Sequence, residues 1–417
     1  MPSRKPVHTK RETCRACEAA ELELVLSLGE TALANAFLRS EREFATESRY
    51  PLDVHVCRRC SLVQLVDVIA PEVLFREYLY VTGTSETMRE HNHAYAAAVV
   101  ELLRLGERDL VVEVASNDGS LLKCFRAHGV RTLGVEPALN IAERASAEGI
   151  ETVPEFFDAA SAGRIRAAHG PAEAVVANNV LAHVDEPVEF LRAAGSLLAA
   201  SGLVIVEVPW LRELVERLEY DTVYHEHLSY FSAGSLMRLC EEAGLRIRRI
   251  DRVSVHGGSL RMYAAPESEQ PDHASEVRAL AEEEDAAGLG SSERLREFTA
   301  AVEGNRAALL ELLRGLKRDG ASLAGYGAPA KGNTLLQYCG IGPELLPYTV
   351  DRNPLKIGLF TPGSHIPVLP VETLLERRPD YVLILAWNFA EEIMRQQVEY
   401  ARLGGRFVLP LPVPRVV

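Results

Sequence analysis

The sequence predicts an α/β protein in which a small zinc-binding ribbon precedes two successive α/β units. Three observations carry this. Two CxxC pairs, Cys14/Cys17 and Cys57/Cys60, stand near the N-terminus. Apolar strand runs such as "DLVVEVASNDG" alternate with helix-length segments through the middle of the chain. A second strand, glycine turn and helix start, "ASLAGYGAPAKGNTLL", opens at Ala321. A chain of 417 residues is also too long for one hydrophobic core, so two or three domains are expected.

Hydrophobic residues at 47% and charged residues at 25% suit a soluble globular chain. The net charge of -14 excludes a broad nucleic-acid-binding face, which would be basic. It leaves room for a small anionic ligand held by a few local groups. No apolar run reaches the ~18 residues needed to span a bilayer. The best candidate, "GLVIVEVPWL", is short and carries Glu207. The start "MPSRKPVHTKRE" has charge but no apolar h-region, so no signal peptide and a cytoplasmic location are expected. The sequence sets no oligomeric state, and a monomer is compatible with it.

Residues 1–75 hold short strand-like runs ("ELVLSL", "YPLDVHVC", "LVQLVDV") and both cysteine pairs. In a reducing compartment such pairs indicate metal rather than disulfides. Four thiolates give zinc a closed tetrahedral shell, which replaces the core that so short a segment cannot build. The interval 18–56 is long for a ribbon and implies an inserted loop. With no open coordination position the zinc is structural. A redox pair is the alternative. Cys124, Cys240 and Cys339 are expected as small buried apolar residues.

Residues 76–268 read as βαβ units: "HNHAYAAAVVELLRLG" as a helix, and "DLVVEVASNDG", "VRTLGVEP", "AEAVVANNVLAHV" and "GLVIVEVP" as strands of a parallel sheet. "RIRRIDRVSVHGGSLRMYAA" predicts an antiparallel edge. Residues 269–316 are an acidic helical connector, its first piece solvated and its second ending near Lys-Arg-Asp-Gly as a C-cap. Residues 317–417 form the last α/β unit, with "PYTVDRNP", "DYVLILAWN" and "GRFVLPLP" as further strands.

The first glycine turn, "VVEVASNDGSLL", lacks the GxGxxG that brings backbone close to a pyrophosphate. An acidic strand end with a looser turn suits S-adenosylmethionine, which has no phosphates and carries a sulfonium cation. Glu113, Ala115, Asn117 and Gly119 lie along this strand end and turn. Glu136, closing the second strand, is placed to accept two ribose hydroxyls, and Asn178 and Asn179 close the third.

"DTVYHEHLSYFS", Asp221–Ser232, crowds Tyr224, His225, Glu226 and His227 together. A metal site, a proton-transfer site and a solvated polar loop are all open readings. The metal reading is the weakest, because HExxH spacing is absent and the cysteines account for one zinc. In "GYGAPAKGNT", Gly325, Gly327, Lys331 and Asn333 surround a strand-to-helix turn. Backbone N–H groups and one lysine there can hold a diphosphate, or the turn can simply pack. Asp351 in "TVDRNP" is either a ribose-binding acid or a turn cap, and His256 in "SVHGGSLR" either touches ligand or marks a tight turn.

"EVASNDGSLL", "NNVLAHV", "YHEHLSYFS", "GGSLRMY" and "GYGAPAKGNTLL", in this order behind CxxC…CxxC, resemble the three-domain sugar C-methyltransferases. These act on nucleotide-linked 4-keto deoxysugars in antibiotic and cell-surface sugar biosynthesis. The resemblance covers nearly the whole chain. It implies a zinc-binding N-terminal domain, a central Rossmann-like S-adenosylmethionine domain, and a C-terminal Rossmann-like domain that helps hold the sugar nucleotide. It also implies His227 as the base, Tyr224 and Glu226 as groups that orient the sugar, and His183 lining the active site. Ala182 stands where a Glu is common in the family. The entry segment with Tyr78 and Tyr80 is implied to cover the cofactor and contact substrate, with a plain connecting turn as the alternative.

Chemistry points the same way. A carbon beside a 4-keto group becomes nucleophilic when a base near neutrality, such as histidine, removes its hydrogen. The 4-keto group acidifies C-3 and C-5 alike, and with the resemblance the expected reaction is C-methylation of a nucleotide-linked, thymidine-diphosphate type 4-ketosugar, with C-3 as the expected carbon. An O- or N-methyltransferase of a small metabolite needs no enolate and is the second reading. A non-catalytic zinc- and nucleotide-binding protein is the third.

Overall fold

The computed structural model describes residues 6–76, 86–269 and 272–417, without the side chains of residues 256 and 269. Tyr78 and Tyr80, and the side chain of His256, therefore lie outside the described residues. The chain forms two compact units that alternate along the sequence. One comprises residues 1–23, 55–212 and 228–291; the other comprises 24–54, 213–227 and 292–417.

The first unit is built on a seven-stranded sheet in the order Leu245–Val253, Ser259–Pro266, Leu198–Pro209, Ala172–Asn178, Leu110–Val114, Arg131–Val135, Thr152–Val153. The last five run parallel, and Ser259–Pro266 runs antiparallel to both its neighbours, which makes the antiparallel edge that the sequence predicts for the closing strands. Leu110–Val114 is buried along its whole length, the pattern of a strand covered on both faces. Glu207 would be a costly charge inside such a sheet. Arg261 meets it at 2.7 Å and His91 at 3.0 Å, so the pair is compensated.

Helix Ser120–Ala127 starts at Gly119, whose φ of 70° is left-handed and whose hydrogen faces Ile150 where a Cβ would stand 2.9 Å from Cγ1. Asp158 and Ser232 each close a capping box, with Ser161 and Ser235, and so fix the starts of Ala159–His169 and Ala233–Glu242. The acidic run expected to be solvated is instead an amphipathic helix, Ser275–Ala286, that buries Val277, Leu280, Ala281 and Glu284. Leu280, Ala281 and Glu284 follow Val277 by three, four and seven residues, one helical face, and Glu284 accepts the Trp210 indole N–H at 2.5 Å.

The second unit carries a six-stranded sheet in the order Val368–Pro370, Thr349–Asp351, Leu323–Tyr326, Tyr381–Ile384, Arg406–Leu409, Arg415–Val416. Five strands are parallel and the last is antiparallel. Helix Ser292–Arg318 buries Leu295, Phe298, Val302, Asn305, Leu309 and Leu313, one continuous face, and ends at Arg318 as the sequence predicts. In both sheets the chain reverses direction of growth at the strand that precedes the first glycine turn. Ligands bind outside the carboxyl ends of strands at such points.

Candidate active site and metal centre

The four CxxC sulfurs converge. Their Sγ atoms all lie within 4.8 Å of one another, with Cys14 and Cys60 at 3.5 Å and Cys17 and Cys57 at 3.6 Å. Tetrahedral zinc with Zn–S bonds of about 2.3 Å sets sulfurs roughly 3.8 Å apart, so the residues fit the ion. Cys14 Sγ accepts the Gln64 amide at 3.2 Å and the Ala16 N–H at 3.4 Å, contacts suited to a thiolate. The Cys60 thiol chiefly, with those two donors, holds the Cys14 pKa down to about 4 against the opposing effect of burial. Gln64 also accepts the Arg15 backbone N–H at 3.1 Å, and the buried Arg15 guanidinium reaches Asp185 at 3.0 Å. This ring around the metal was not visible in the sequence, because Arg15 reads as a spacer between two cysteines.

The residues expected to hold the cofactor lie at the carboxyl ends of three adjacent strands. Ala115, Asn117 and Asn179 adopt positive φ of 55°, 49° and 55°. For non-glycine residues this conformation is costly, and it clusters at ligand-binding turns. Glu136 accepts backbone N–H groups of Asn117 at 2.9 Å and Ala138 at 2.8 Å, which fix its carboxylate while leaving further lone pairs. Among the described residues, Glu113 Oε2, Asn178 Oδ1 and Asn179 Oδ1 are buried acceptors without a hydrogen-bond partner. Burial, then the neighbouring Asp118 and Glu136, pushes the Glu113 carboxyl well above its usual range. Three acidic groups and orphaned acceptors around a loop without a phosphate cradle fit a cationic, hydroxyl-bearing cofactor such as S-adenosylmethionine.

His183 sits in a 3-10 turn, Leu181–His183, directly after these asparagines and stacks on Phe75 with centroids 5.4 Å apart. Desolvation lowers its pKa to about 4, so its imidazole is neutral at pH 7.

The Tyr224–His227 cluster belongs to the second unit. His227, 7% exposed, places Nδ1 2.7 Å from the Thr222 carbonyl and Nε2 2.8 Å from the Tyr224 hydroxyl. A carbonyl can only accept, so Nδ1 carries the hydrogen, and Nε2 of the neutral ring is unprotonated and accepts from the Tyr224 hydroxyl. Glu226 Oε1 accepts the Asn35 amide at 2.6 Å. His225, 1% exposed, donates from Nε2 to the Pro51 carbonyl at 3.1 Å and packs edge-on to Tyr50. Of the three open readings, the solvated loop is removed by this burial, and no cysteine or third ligand joins the histidines in a metal-like group among the described residues.

Around the C-terminal glycine turn, Gly327 has φ of 88° and Asp351 caps the turn, accepting Ala328 N–H at 2.6 Å and Asn353 N–H at 2.8 Å. Lys331 Nζ stands 3.9 Å from Glu219 and 5.3 Å from the Trp387 ring centroid. Asn333 is fully buried and donates to the Ala34 carbonyl at 2.8 Å. Lys356, which sequence reasoning missed, is buried with Nζ on the Ala328 carbonyl at 2.8 Å; desolvation lowers its pKa, and Asp351 and Glu226 oppose that.

A cofactor loop of this kind beside a four-cysteine cluster defines a zinc-bearing methyltransferase that uses S-adenosylmethionine. Comparison with known proteins makes this specific. Residues 14–75 match a zinc binding domain family, 88–250 a methyltransferase domain family, and 254–412 the C-methyltransferase C-terminal domain family. The chain is 41% identical over 406 residues to the C-methyltransferase NovU of Streptomyces niveus, covering 97% of each. It belongs to the C-methyltransferase family. Similar solved structures include the PH0226 protein from Pyrococcus horikoshii OT3 (14% identity, TM-score 0.35, 47% of this chain and 96% of that one). Magnesium protoporphyrin IX methyltransferase (ChlM) from Synechocystis PCC 6803 with bound SAM is another (14% identity, TM-score 0.33, 43% and 79%). No described helix is long and apolar enough to cross a membrane.

Proposed function

We propose that this C-methyltransferase alkylates a nucleotide-linked 4-keto deoxysugar, of the thymidine-diphosphate type, at the C-3 carbon beside the carbonyl, in deoxysugar biosynthesis of the kind that serves antibiotics. The single observation that carries the reading is the setting of the His227 ring, with Nδ1 2.7 Å from a carbonyl and Nε2 2.8 Å from a phenol, the arrangement of an Nδ1–H tautomer. An O- or N-methyl acceptor brings its own lone pair; a carbon acceptor needs a base to create one.

In this reading His227 Nε2 takes the C-3 proton. Tyr224 shifts its hydroxyl toward the sugar and, with Glu226, orients it; a phenolic donor also stabilises charge developing on the carbonyl oxygen. His183, held neutral, lines the site without adding a positive charge beside the cofactor. S-adenosylmethionine, when bound, supplies an electrophilic methyl on a good leaving group. Glu113, Ala115, Asn117, Gly119, Glu136, Asn178 and Asn179 are the residues that would hold it. Tyr78, Tyr80, His225, His256, Lys331 and Asn333 are assigned to the sugar nucleotide and its surroundings. Zinc has no step; its four cysteines hold the N-terminal segment in shape.

The test is incubation with thymidine-diphosphate 4-ketosugars and labelled cofactor, reading the product by mass spectrometry and NMR. A new carbon-bound methyl beside the carbonyl supports the reading. A methyl found on oxygen or nitrogen overturns it.

A further inference from the structure

The turn before the histidine cluster contains two buried acids that the proposed chemistry does not use. Asp221 is fully buried, and its Oδ2 accepts the Trp387 indole N–H at 2.6 Å. Glu219, 4% exposed, lies 3.9 Å from Lys331 Nζ, which in turn rests over the Trp387 ring. Together they tie the 3-10 turn Tyr220–Thr222 to the start of helix Ala330–Cys339 and to the 3-10 turn Trp387–Phe389. The Tyr220 hydroxyl adds a third anchor on Asn305 at 2.9 Å.

A buried carboxylate is an expensive way to fasten a turn, since it must be taken out of water and a neutral side chain would avoid that cost. What it adds is a short charge-assisted hydrogen bond with a fixed direction. The direction matters here. Thr222, next in the chain, offers the carbonyl that holds the hydrogen on His227 Nδ1. If that carbonyl swings away, Nδ1 loses its acceptor and the ring can place its hydrogen on Nε2, where it cannot accept a proton from substrate.

We infer that Asp221 and Trp387 are positioning residues for His227: their hydrogen bond fixes the Thr222 carbonyl, and through it the tautomer that keeps Nε2 unprotonated, as a base requires. This rests on the assignment of His227 as the base. Neither residue touches the reacting atoms.

The test uses the full chain. Trp387→Phe keeps an aromatic ring for Lys331 and removes only the donor. Asp221→Asn keeps an acceptor for the indole, whereas Asp221→Ala removes it. Nitrogen-15 NMR of histidine-labelled protein, with His227→Asn identifying the signal, reads the tautomer without substrate. Steady-state kinetics with a 4-ketosugar reads kcat and KM, and circular dichroism checks folding. The expected result is a shift of the His227 signal away from pure Nδ1–H in Trp387→Phe and Asp221→Ala. Their kcat should fall about tenfold to a hundredfold, the scale of a misplaced catalytic group, with KM for the cofactor unchanged. Asp221→Asn should stay nearer the wild type in both readouts. A wild-type tautomer in folded Trp387→Phe, or equal losses in Asp221→Asn and Asp221→Ala, would overturn the inference. A wild type that turns over no ketosugar sinks the substrate reading alone, because the tautomer is read in its absence.

Discussion

His227 has both ring nitrogens assigned by what surrounds them, one to a carbonyl at 2.7 Å and one to a phenol at 2.8 Å. Replacing it with asparagine keeps a donor for the carbonyl and removes the proposed base, so kcat should fall by about 10²–10⁴, with cofactor affinity unchanged by calorimetry. Two other groups make the stability of the fold respond to pH in opposite senses. His183 has a folded pKa of about 4, below its ordinary 6.5, so the unfolded chain binds more protons between these values and stability rises with pH across that window. Burial lifts Glu219 to about 7 from 4.5, only partly offset by Lys331, so the folded chain binds more protons and stability falls as pH rises from about 4.5 through 7. Thermal melts across this range should show His183→Gln losing less stability on acidification than the wild type, and Glu219→Gln losing less on the way up. The contiguous histidine cluster was legible because its members are neighbours in sequence. Asn35, Trp387 and Lys356 were not: Trp387 meets Asp221 across 166 positions, and no local pattern announces such a pairing.

Among elements, the parallel strands were the most readable, because a strand covered on both faces must be apolar throughout, as Leu110–Val114 nearly is. The strand pair closing the first sheet was equally plain. Helix Ser275–Ala286 was misread through composition: its acidic residues outweigh a narrow apolar face of Val277, Leu280 and Ala281. Periodicity was the better guide there than charge. The cysteine knuckles were recognisable from spacing, while the hydrogen bonds of Gln64 and Arg15 around them depend on the fold. If zinc supplies the stability of this segment, stripping it with a chelator should lower the melting temperature and release about one ion per chain. Cys57→Ser should copy the effect. A chain that loses its metal and melts unchanged would show that packing alone suffices.

For the molecule as a whole, family membership follows from 41% identity over 97% of the chain, and the class of reaction follows with it. The acceptor does not, because substrate choice lives in loops whose geometry was not legible in the sequence. The resemblance of the ordered motifs supplied that expectation, and the tautomer of His227 is what gives it a physical reason. Carbon must be made nucleophilic before it can be methylated, so the central claim is enolate formation by this chain. The direct measurement is incubation of the enzyme with a nucleotide-linked 4-ketosugar in deuterium oxide, followed by NMR of the recovered sugar. Deuterium should enter at the C-3 carbon beside the carbonyl with wild-type protein and not with His227→Asn. Methyl transfer by the wild type with no deuterium entering, with or without cofactor, would contradict the account.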